Sequence, residues 1–536
     1  MHDIVIIGGT VVDGTGAPGR RADVAVDGDR ITAVGTGPLR GRRTIDATDR
    51  IVSPGFVDLH SHADFTLPAS PGAVTQLAQG VTTLVTGNCG HSPFPLTERN
   101  RDAGGFAGFD PAALDWSWTD AEGYAAMLDA RRPGVNVGLQ IGHNMIRSAV
   151  LGGEDRAPGD AELEEMRGHV SRAAEQGVLG FSTGLIYPPG LFAATDEVVA
   201  LVRRAAEHGM LYSTHVRNET DRVLEAVAEA LETARSAGAR LQVSHLKSMG
   251  PGNHGLALKA LDLILRERER GLDVTCDVYP YTASSTSLAS RLPAWALDGG
   301  AAAVAARLAD PAERARIVEG LHERFGRDID PAGIVLAEPG PGPFADRAGW
   351  SVTEIAAERG MDPAEVVLAV LAGHGDVAIV NHAMSEDDVR GVLASPISAV
   401  ASDGWVLDAS GPGRPHPRSF GTFARVLGRY VRDEGVLGLE EAVRRMTSLP
   451  AARAGLADRG VLAPGSAADV AVFDPERVAD RSTYEDPWRL SVGTEAVLVN
   501  GVPAVEGGEA TGERPGRVLR RAAWGAGPGG RVTVRP

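Results

Sequence analysis

From residue 51 onward the chain alternates short apolar runs with longer amphipathic stretches. Such alternation marks parallel βα units, whose strands are buried on both faces and whose helices are buried on one. Strands are predicted near residues 56–59, 83–86, 135–141, 179–182, 211–214, 241–244, 274–278 and 400–402. Residues 377–380 read as a strand equally well, so nine candidates compete for the eight places of a barrel, and one is miscounted or lies outside it. Residues 195–208 set Val198, Val202, Ala205 and Ala206 on one helical face, and Gly209 ends that helix ahead of the next strand. The same order of helix, glycine and strand recurs at Gly177 and Gly238. Repeated over about 400 residues, it predicts an α/β fold built on a (β/α)8 barrel with insertions. A doubly wound open sheet is the competing architecture.

The two ends of the chain follow a different pattern. Residues 4–7, 24–26 and 30–34 read as short strands separated by turn signals at Gly8-Gly9, Asp13-Gly14 and Asp27-Gly28, which predicts a small antiparallel sheet. After Leu456 short strands return, at 468–473 and at 496–499 before Asn500-Gly501, and they are expected to complete that sheet. Residues 288–350 break the βα rhythm with proline, glycine and charged helix formers, as an insertion over the barrel mouth would. The predicted division is therefore a small β-domain from 1–54, a barrel from 55–455 carrying that insertion, and 456–536 as the second part of the β-domain with a C-terminal tail.

Composition narrows the partners. At 536 residues the chain exceeds one ordinary core, and 43% hydrophobic with 23% charged residues is the balance of a globular protein. A net charge of -17 with no basic cluster excludes nucleic acid as the expected partner. Cys89 and Cys276 are too few to staple such a chain, which suits a reducing compartment. The first residues lack the charged start and the apolar core of about 7–15 residues that a signal peptide needs. No run of about 18 apolar residues suggests a membrane span. The expectation is a cytoplasmic protein with no membrane partner; oligomeric state is not legible.

Candidate chemistry sits at the predicted strand ends. His60-Ser61-His62 follows the first barrel strand, and residues two apart in a strand point the same way, so both imidazoles can face one ion. Cys89 in Thr86-Gly87-Asn88-Cys89-Gly90, His215, His245 and Asp403 close four later strands. Taken singly, a strand-end histidine is an ordinary hydrogen-bonded residue, Cys89 a small buried apolar group and Asp403 a turn residue before Gly404. Five strands that each end in a metal-ligand type predict a metal site at the barrel mouth.

These residues stand within longer motifs. The opening Ile7-Gly8-Gly9-Thr10-Val11-Val12-Asp13-Gly14, the segment Pro54-Gly55-Phe56-Val57-Asp58-Leu59-His60-Ser61-His62 and the closing Leu462-Ala463-Pro464-Gly465-Ser466-Ala467-Ala468-Asp469 resemble the amidohydrolase superfamily. Gly87-Asn88-Cys89-Gly90, Ser213-Thr214-His215-Val216-Arg217-Asn218-Glu219, Ser244-His245-Leu246-Lys247 and Tyr279-Pro280-Tyr281 resemble its N-acyl-D-amino-acid deacylases, the D-aminoacylases. The resemblance spans nearly the whole chain. It implies a distorted TIM-type barrel with a small β-sandwich domain formed from both chain ends. It also implies that Cys89, His215 and His245 hold a tight zinc, with His60, His62 and Asp403 forming a second, weakly occupied site. Many binuclear relatives bridge their metals with a carboxylated lysine between the His-X-His strand and the next histidine ligand. Here the only lysines are Lys247 and Lys259, neither in that interval, whereas Cys89 lies within it and a metal-stabilised thiolate can bridge.

The implied reaction is metal-assisted hydrolysis of a linear amide that releases a carboxylate and a free D-amino acid, with L,D-dipeptides as further substrates. Asp403 would take a proton from water and pass it to the leaving nitrogen. Lys247, Tyr279 and Arg418, with Ser285 assisting, would bind the substrate's α-carboxylate; Lys247 stands out because all but two of the 53 basic residues are arginine. Arg418, in Pro415-His416-Pro417-Arg418, matches the family's carboxylate-binding arginine by motif, and the long stretch before it leaves Arg414 as a substitute. Arg291 reads as a solvated loop charge. The rival readings are a cyclic amidase of the hydantoinase or dihydropyrimidinase kind, and a non-catalytic structural protein of the same fold.

Overall fold

The computed structural model describes residues 1–37, 39–101 and 114–521. Its centre is a barrel of eight parallel strands: β1 (Phe56–Asp58), β2 (Val81–Thr86), β3 (Asn136–Gly142), β4 (Gly180–Gly184), β5 (Leu211–His215), β6 (Leu241–Val243), β7 (Val274–Val278) and β8 (Ser398–Val400). Each pairs with its sequence neighbour from β1 to β8. All eight strands are buried, which is why they read as apolar runs rather than as alternating ones.

The barrel is distorted because β1 and β8 share no ladder. Their seam closes only beyond the strands, at the C-terminal mouth. There the Asp403 amide donates to the His60 carbonyl and the His62 amide to the Gly404 carbonyl, both at 2.8 Å. Asp58 fastens the same seam, accepting from the Ser402 amide at 2.9 Å and from the Ser402 hydroxyl. At the opposite end Val518–Leu519 pairs with β3 at Val137 and Gly138, so β3 and β4 meet only over Gln140–Gly142.

The ninth strand candidate lies outside the barrel. Ala378–His382 is the centre of a three-stranded antiparallel sheet, flanked by Ala283–Ser287 and Ile334–Glu338. Leu288, Leu321, Val352, Leu368 and Ile379 belong to a separate core packed there. An apolar run carries no mark of which sheet will bury it, hence the surplus. The helix Thr195–Glu207 buries Val198, Leu201, Val202 and Ala205, with Leu201 in the place expected of Ala206.

The chain ends form two sheets rather than one. His2–Ile7 pairs antiparallel with Asp23–Asp27 but parallel with Gly41–Asp46, so the first sheet is mixed, not antiparallel. The C-terminal strands Val470–Phe473, Thr494–Val499 and Val502–Glu506 join Ile51–Pro54 and Thr10–Val11 in a second sheet. Ile6, Val24 and Val26 of the first and Val52, Val470 and Leu498 of the second share one core, which makes a two-layer sandwich. The tail from 522 to 536 lies outside the described residues. Among the described residues no helix is long and apolar enough to cross a membrane.

Candidate metal centre

Each barrel strand stops at the mouth, and the residues just beyond it turn inward. His60 and His62 follow β1, Cys89 follows β2, His215 ends β5, His245 follows β6 and Asp403 follows β8. None of the six is more than 9% exposed. Cys89 Sγ lies 3.3 Å from His60 Nε2 and 3.4 Å from His245 Nε2. Asp403 Oδ1 lies 3.4 Å from His60 Nε2 and 3.1 Å from His62 Nε2. The His215 and His245 rings stand 4.4 Å apart.

Three sets of donor atoms lie within 4.8 Å of one another: His60, Cys89 and His245; His60, His62 and Asp403; His215, Glu219 and His245. The second is the set expected for a weaker metal. Of the expected triad Cys89, His215 and His245, the structure brings Cys89 and His245 into one set with His60, and joins His215 to it through His245. A thiolate, four imidazoles and a carboxylate form a zinc-type donor set. Both ring nitrogens of His215 are buried without a hydrogen-bond partner among the described residues, polar atoms of the kind that a cation would satisfy.

Electrostatics within the cluster agree with its geometry. Burial alone would raise the Cys89 thiol, yet the charges of His60 and His245 hold it well below its usual range. Asp403 is likewise held well below the usual carboxylate range against the cost of burial, by Arg418 and then His245. His62 is pushed up to about 9 despite burial, through its bonds to Asp403 and Cys89. Cys89 (φ 53°), His245 (φ 34°) and Asp403 (φ 51°) all adopt left-handed backbone, unusual for residues with side chains. Gly87 beside Cys89 has φ 83°, and a Cβ there would fall 2.1 Å from the Gln140 carbonyl oxygen. Only glycine lets β2 turn this sharply against β3.

Two carboxylates stand behind the histidines. Asp277, inside β7, lies 3.2 Å from His60 Nδ1 and accepts from the His245 amide at 2.8 Å. Glu219 lies 3.2 Å from both His215 Nε2 and His245 Nδ1. Neither was singled out in the sequence, although a carboxylate within the apolar run of β7 is a signal that it is held by partners.

A cavity opens beside the cluster, lined by Lys247, Ser285, Arg291 and Tyr187 together with the donors Cys89 and Asp403. Lys247 is 4% exposed and donates to Glu219 Oε1 at 2.6 Å. Arg418 donates from Nη1 to Asp403 Oδ2 at 2.6 Å and from Nη2 to the Ser285 carbonyl at 3.3 Å, and lines an adjoining cavity that shares Ser285 and Asp403. Tyr279 lines neither cavity. Its ring lies 5.7 Å from Lys247 Nζ and 5.1 Å from the Arg418 guanidinium, and its hydroxyl faces the Met384 sulfur at 3.6 Å. It is a platform beneath the two cations. Arg414 is exposed and packs against Gly349, so it offers no substitute for Arg418.

Arg291 differs from its sequence reading as a solvated loop charge. It is 5% exposed, at the end of the short turn Leu288–Arg291, and lines the main cavity. Its guanidinium bonds to Ser290 Oγ and has no carboxylate partner among the described residues. The turn is too short to show a period, which is why the sequence did not reveal its burial.

Comparisons with known proteins point the same way. A model of the amidohydrolase family matches residues 43–505. The chain is 40% identical over 528 residues to the N-acyl-D-glutamate deacylase of Alcaligenes xylosoxydans xylosoxydans, covering 98% of each. It is 37% identical over 529 residues to the D-aminoacylase of the same organism, covering 97% of this chain and 98% of that one. Among solved structures, the N-acyl-D-glutamate deacylase of Bordetella bronchiseptica, complexed with zinc and a phosphonate mimic of the tetrahedral intermediate, superposes with a TM-score of 0.83. It is 38% identical and covers 97% of this chain and 99% of its own.

Proposed function

We propose, since the chain belongs to the amidohydrolase family and to its N-acyl-D-amino-acid deacylases, that it is a zinc-dependent hydrolase of N-acyl-D-amino acids. The products are a carboxylate and a free D-amino acid, and L,D-dipeptides are further substrates. The observation that carries this reading is Cys89, set between His60 and His245 at 3.3 and 3.4 Å in a chain whose two lysines both lie elsewhere. That arrangement disfavours the cyclic-amidase reading, and the intact donor set disfavours a non-catalytic one.

Zinc, when bound, supplies a Lewis acid that polarises the acyl carbonyl and offsets the charge developing on its oxygen. The chain's own residues do the rest. Asp403 takes the proton of the attacking water and returns it to the leaving nitrogen, one carboxylate serving both transfers. Arg418 keeps that carboxylate ionised and aimed. Lys247, Arg418 and Ser285 receive the substrate's α-carboxylate, with the Tyr279 ring fixing the two cations.

Charge accounting sharpens the substrate. Lys247 is neutralised by Glu219 and Arg418 by Asp403, whereas Arg291 is buried with no carboxylate in ion-pair contact among the described residues. A buried, unpaired guanidinium is costly, and a second substrate carboxylate would offset that cost. The preferred substrate on this basis carries an acidic D-side chain. The division of the chain at about 54 and 455, with 288–350 over the mouth, is supported by the separate cores of the sandwich and of the three-stranded sheet. Two free, buried cysteines support a cytoplasmic protein working on a small molecule rather than on nucleic acid or membrane.

The test is metal content with a substrate screen. Wild type should bind zinc and cleave N-acetyl-D- but not N-acetyl-L-amino acids. Cys89→Ala should lose metal and activity together, while Cys276→Ala, inside apolar β7, should keep both. Full zinc and activity in Cys89→Ala would remove the carrying observation. Arg291→Met should cut kcat/KM on N-acetyl-D-glutamate by about 10-fold or more, the scale of a charged hydrogen bond. It should spare N-acetyl-D-leucine; equal losses on both would show that Arg291 is structural.

A further inference from the structure

We propose that Glu219 is a positioning residue shared by the two halves of the site, one carboxylate that fixes both the zinc ligand His245 and the substrate-binding Lys247. The Lys247 half rests on the functional reading above; the His245 half rests on the donor cluster alone. Glu219 is 3% exposed, and Oε1 lies 2.6 Å from Lys247 Nζ and 3.2 Å from His245 Nδ1, while Oε2 lies 3.2 Å from His215 Nε2.

Its place is set by backbone. The Glu219 carbonyl accepts from the Met249 amide at 2.7 Å, which staples the loop after β5 to the segment after β6. On that loop Asn218 Oδ1 accepts from the amides of Thr220 at 2.8 Å and Arg222 at 3.1 Å, so the turn holding Glu219 is itself closed. His245 directs Nε2 at Cys89, leaving Nδ1 to point away from the donor cluster. A ligand histidine that offers one nitrogen to a metal carries its proton on the other and needs an acceptor there. Lys247 Nζ lies nearest that nitrogen at 2.8 Å and Glu219 Oε1 stands at 3.2 Å. An ammonium can only donate, so the carboxylate is the one group of the two able to accept the Nδ1 proton, and it also accepts from Lys247.

His245 and Lys247 are two residues apart, and the left-handed His245 lets both side chains converge on a single oxygen. The distance between the zinc position and the ammonium is therefore not free. Substrates must present their carboxylate at a matching distance from the scissile amide, which an N-acyl α-amino acid does.

Glu219→Gln keeps the shape and one acceptor oxygen but removes the charge. If the role is shared, the variant should lose zinc to a chelator about 10-fold faster, at the low end for a residue behind a metal ligand. Its preference for N-acetyl-D-amino acids over the matching amino-acid amides, read as a ratio of kcat/KM values, should also fall about 10-fold. Lys247→Met should lower that ratio while keeping zinc, and the double variant should lower it no further than Lys247→Met alone, because Glu219 acts on the carboxylate only through Lys247. Wild-type zinc retention in folded Glu219→Gln overturns the His245 half. A full additional loss in the double variant, or an unchanged ratio in Glu219→Gln, overturns the Lys247 half. Should Glu219→Gln not fold, Glu219→Asp takes its place: one methylene too short to hold both partners, it should show the same two losses, and wild-type values for both would overturn the proposal. Wild-type protein inactive on acids and amides alike would instead sink the functional reading, and zinc retention would still decide the His245 half.

Discussion

Two buried Asp–Arg pairs sit at opposite ends of this barrel, and only one of them faces the donor cluster. Asp403 pairs with Arg418 at the mouth; Asp469 pairs with Arg459 near the first residue of β3. The aspartates are 6% and 5% exposed. Asp469 also accepts from the Asn500 amide at 2.7 Å and from Asn136 Nδ2 at 3.2 Å, so its acceptor capacity is spent on the joint between barrel and sandwich. Burial outweighs Arg459 and pushes Asp469 up, whereas Asp403 is held well below the usual range. Asp403 keeps Oδ1 turned to two imidazoles and lines a cavity. What separates the two carboxylates is neither burial nor an arginine partner but an acceptor oxygen still open to a ligand.

The largest expected effect separates the two directly. Asp403→Asn should lower kcat by about 100-fold or more with zinc and melting temperature largely kept, the scale of lost acid–base catalysis. Asp469→Ala should leave kcat per folded molecule near wild type and destabilise the protein by about 3 kcal/mol, the cost of breaking a buried pair. Denaturant melts and active-site-normalised rates read both, and near-normal kcat in Asp403→Asn would erase the distinction.

A smaller effect is expected from the arginines. Arg418→Met should raise KM for N-acetyl-D-amino acids by about 10-fold, from a charged hydrogen bond of about 1.5–3 kcal/mol. Because Arg418 Nη1 also holds Asp403, kcat on the matching amides should fall too, by a smaller factor. Arg459→Met should change neither constant. Equal losses on acids and amides in Arg418→Met would confine Arg418 to aligning Asp403.

The residues legible in the sequence are those at ends of periodic elements. His60, His62, Cys89, His215, His245 and Asp403 each close a strand whose apolar run is readable, and a barrel gathers strand ends in one place. The residues that escaped lie where no period exists. Arg291 ends a four-residue turn, and Glu219 sits in a loop whose return to Met249 is a tertiary contact. The mixed sheet escaped for a related reason: parallel pairing of His2–Ile7 with Gly41–Asp46 joins segments more than thirty residues apart and leaves no local signature. Residues 377–380 show the converse, since a true strand signal was present and only its sheet was undetermined.

The left-handed backbone at Cys89, His245 and Asp403 has an evolutionary reading. A side-chain-bearing residue held in that region costs on the order of 1–3 kcal/mol, and glycine at the same position would not pay it. Selection for thermal robustness alone would therefore erode the reaction first, at three of the six donor positions. Attempts to stabilise this enzyme by optimising each position for its backbone conformation would meet the same conflict. A descendant released from its substrate has an easy downhill path, in which the ligands go and a sturdier barrel stays.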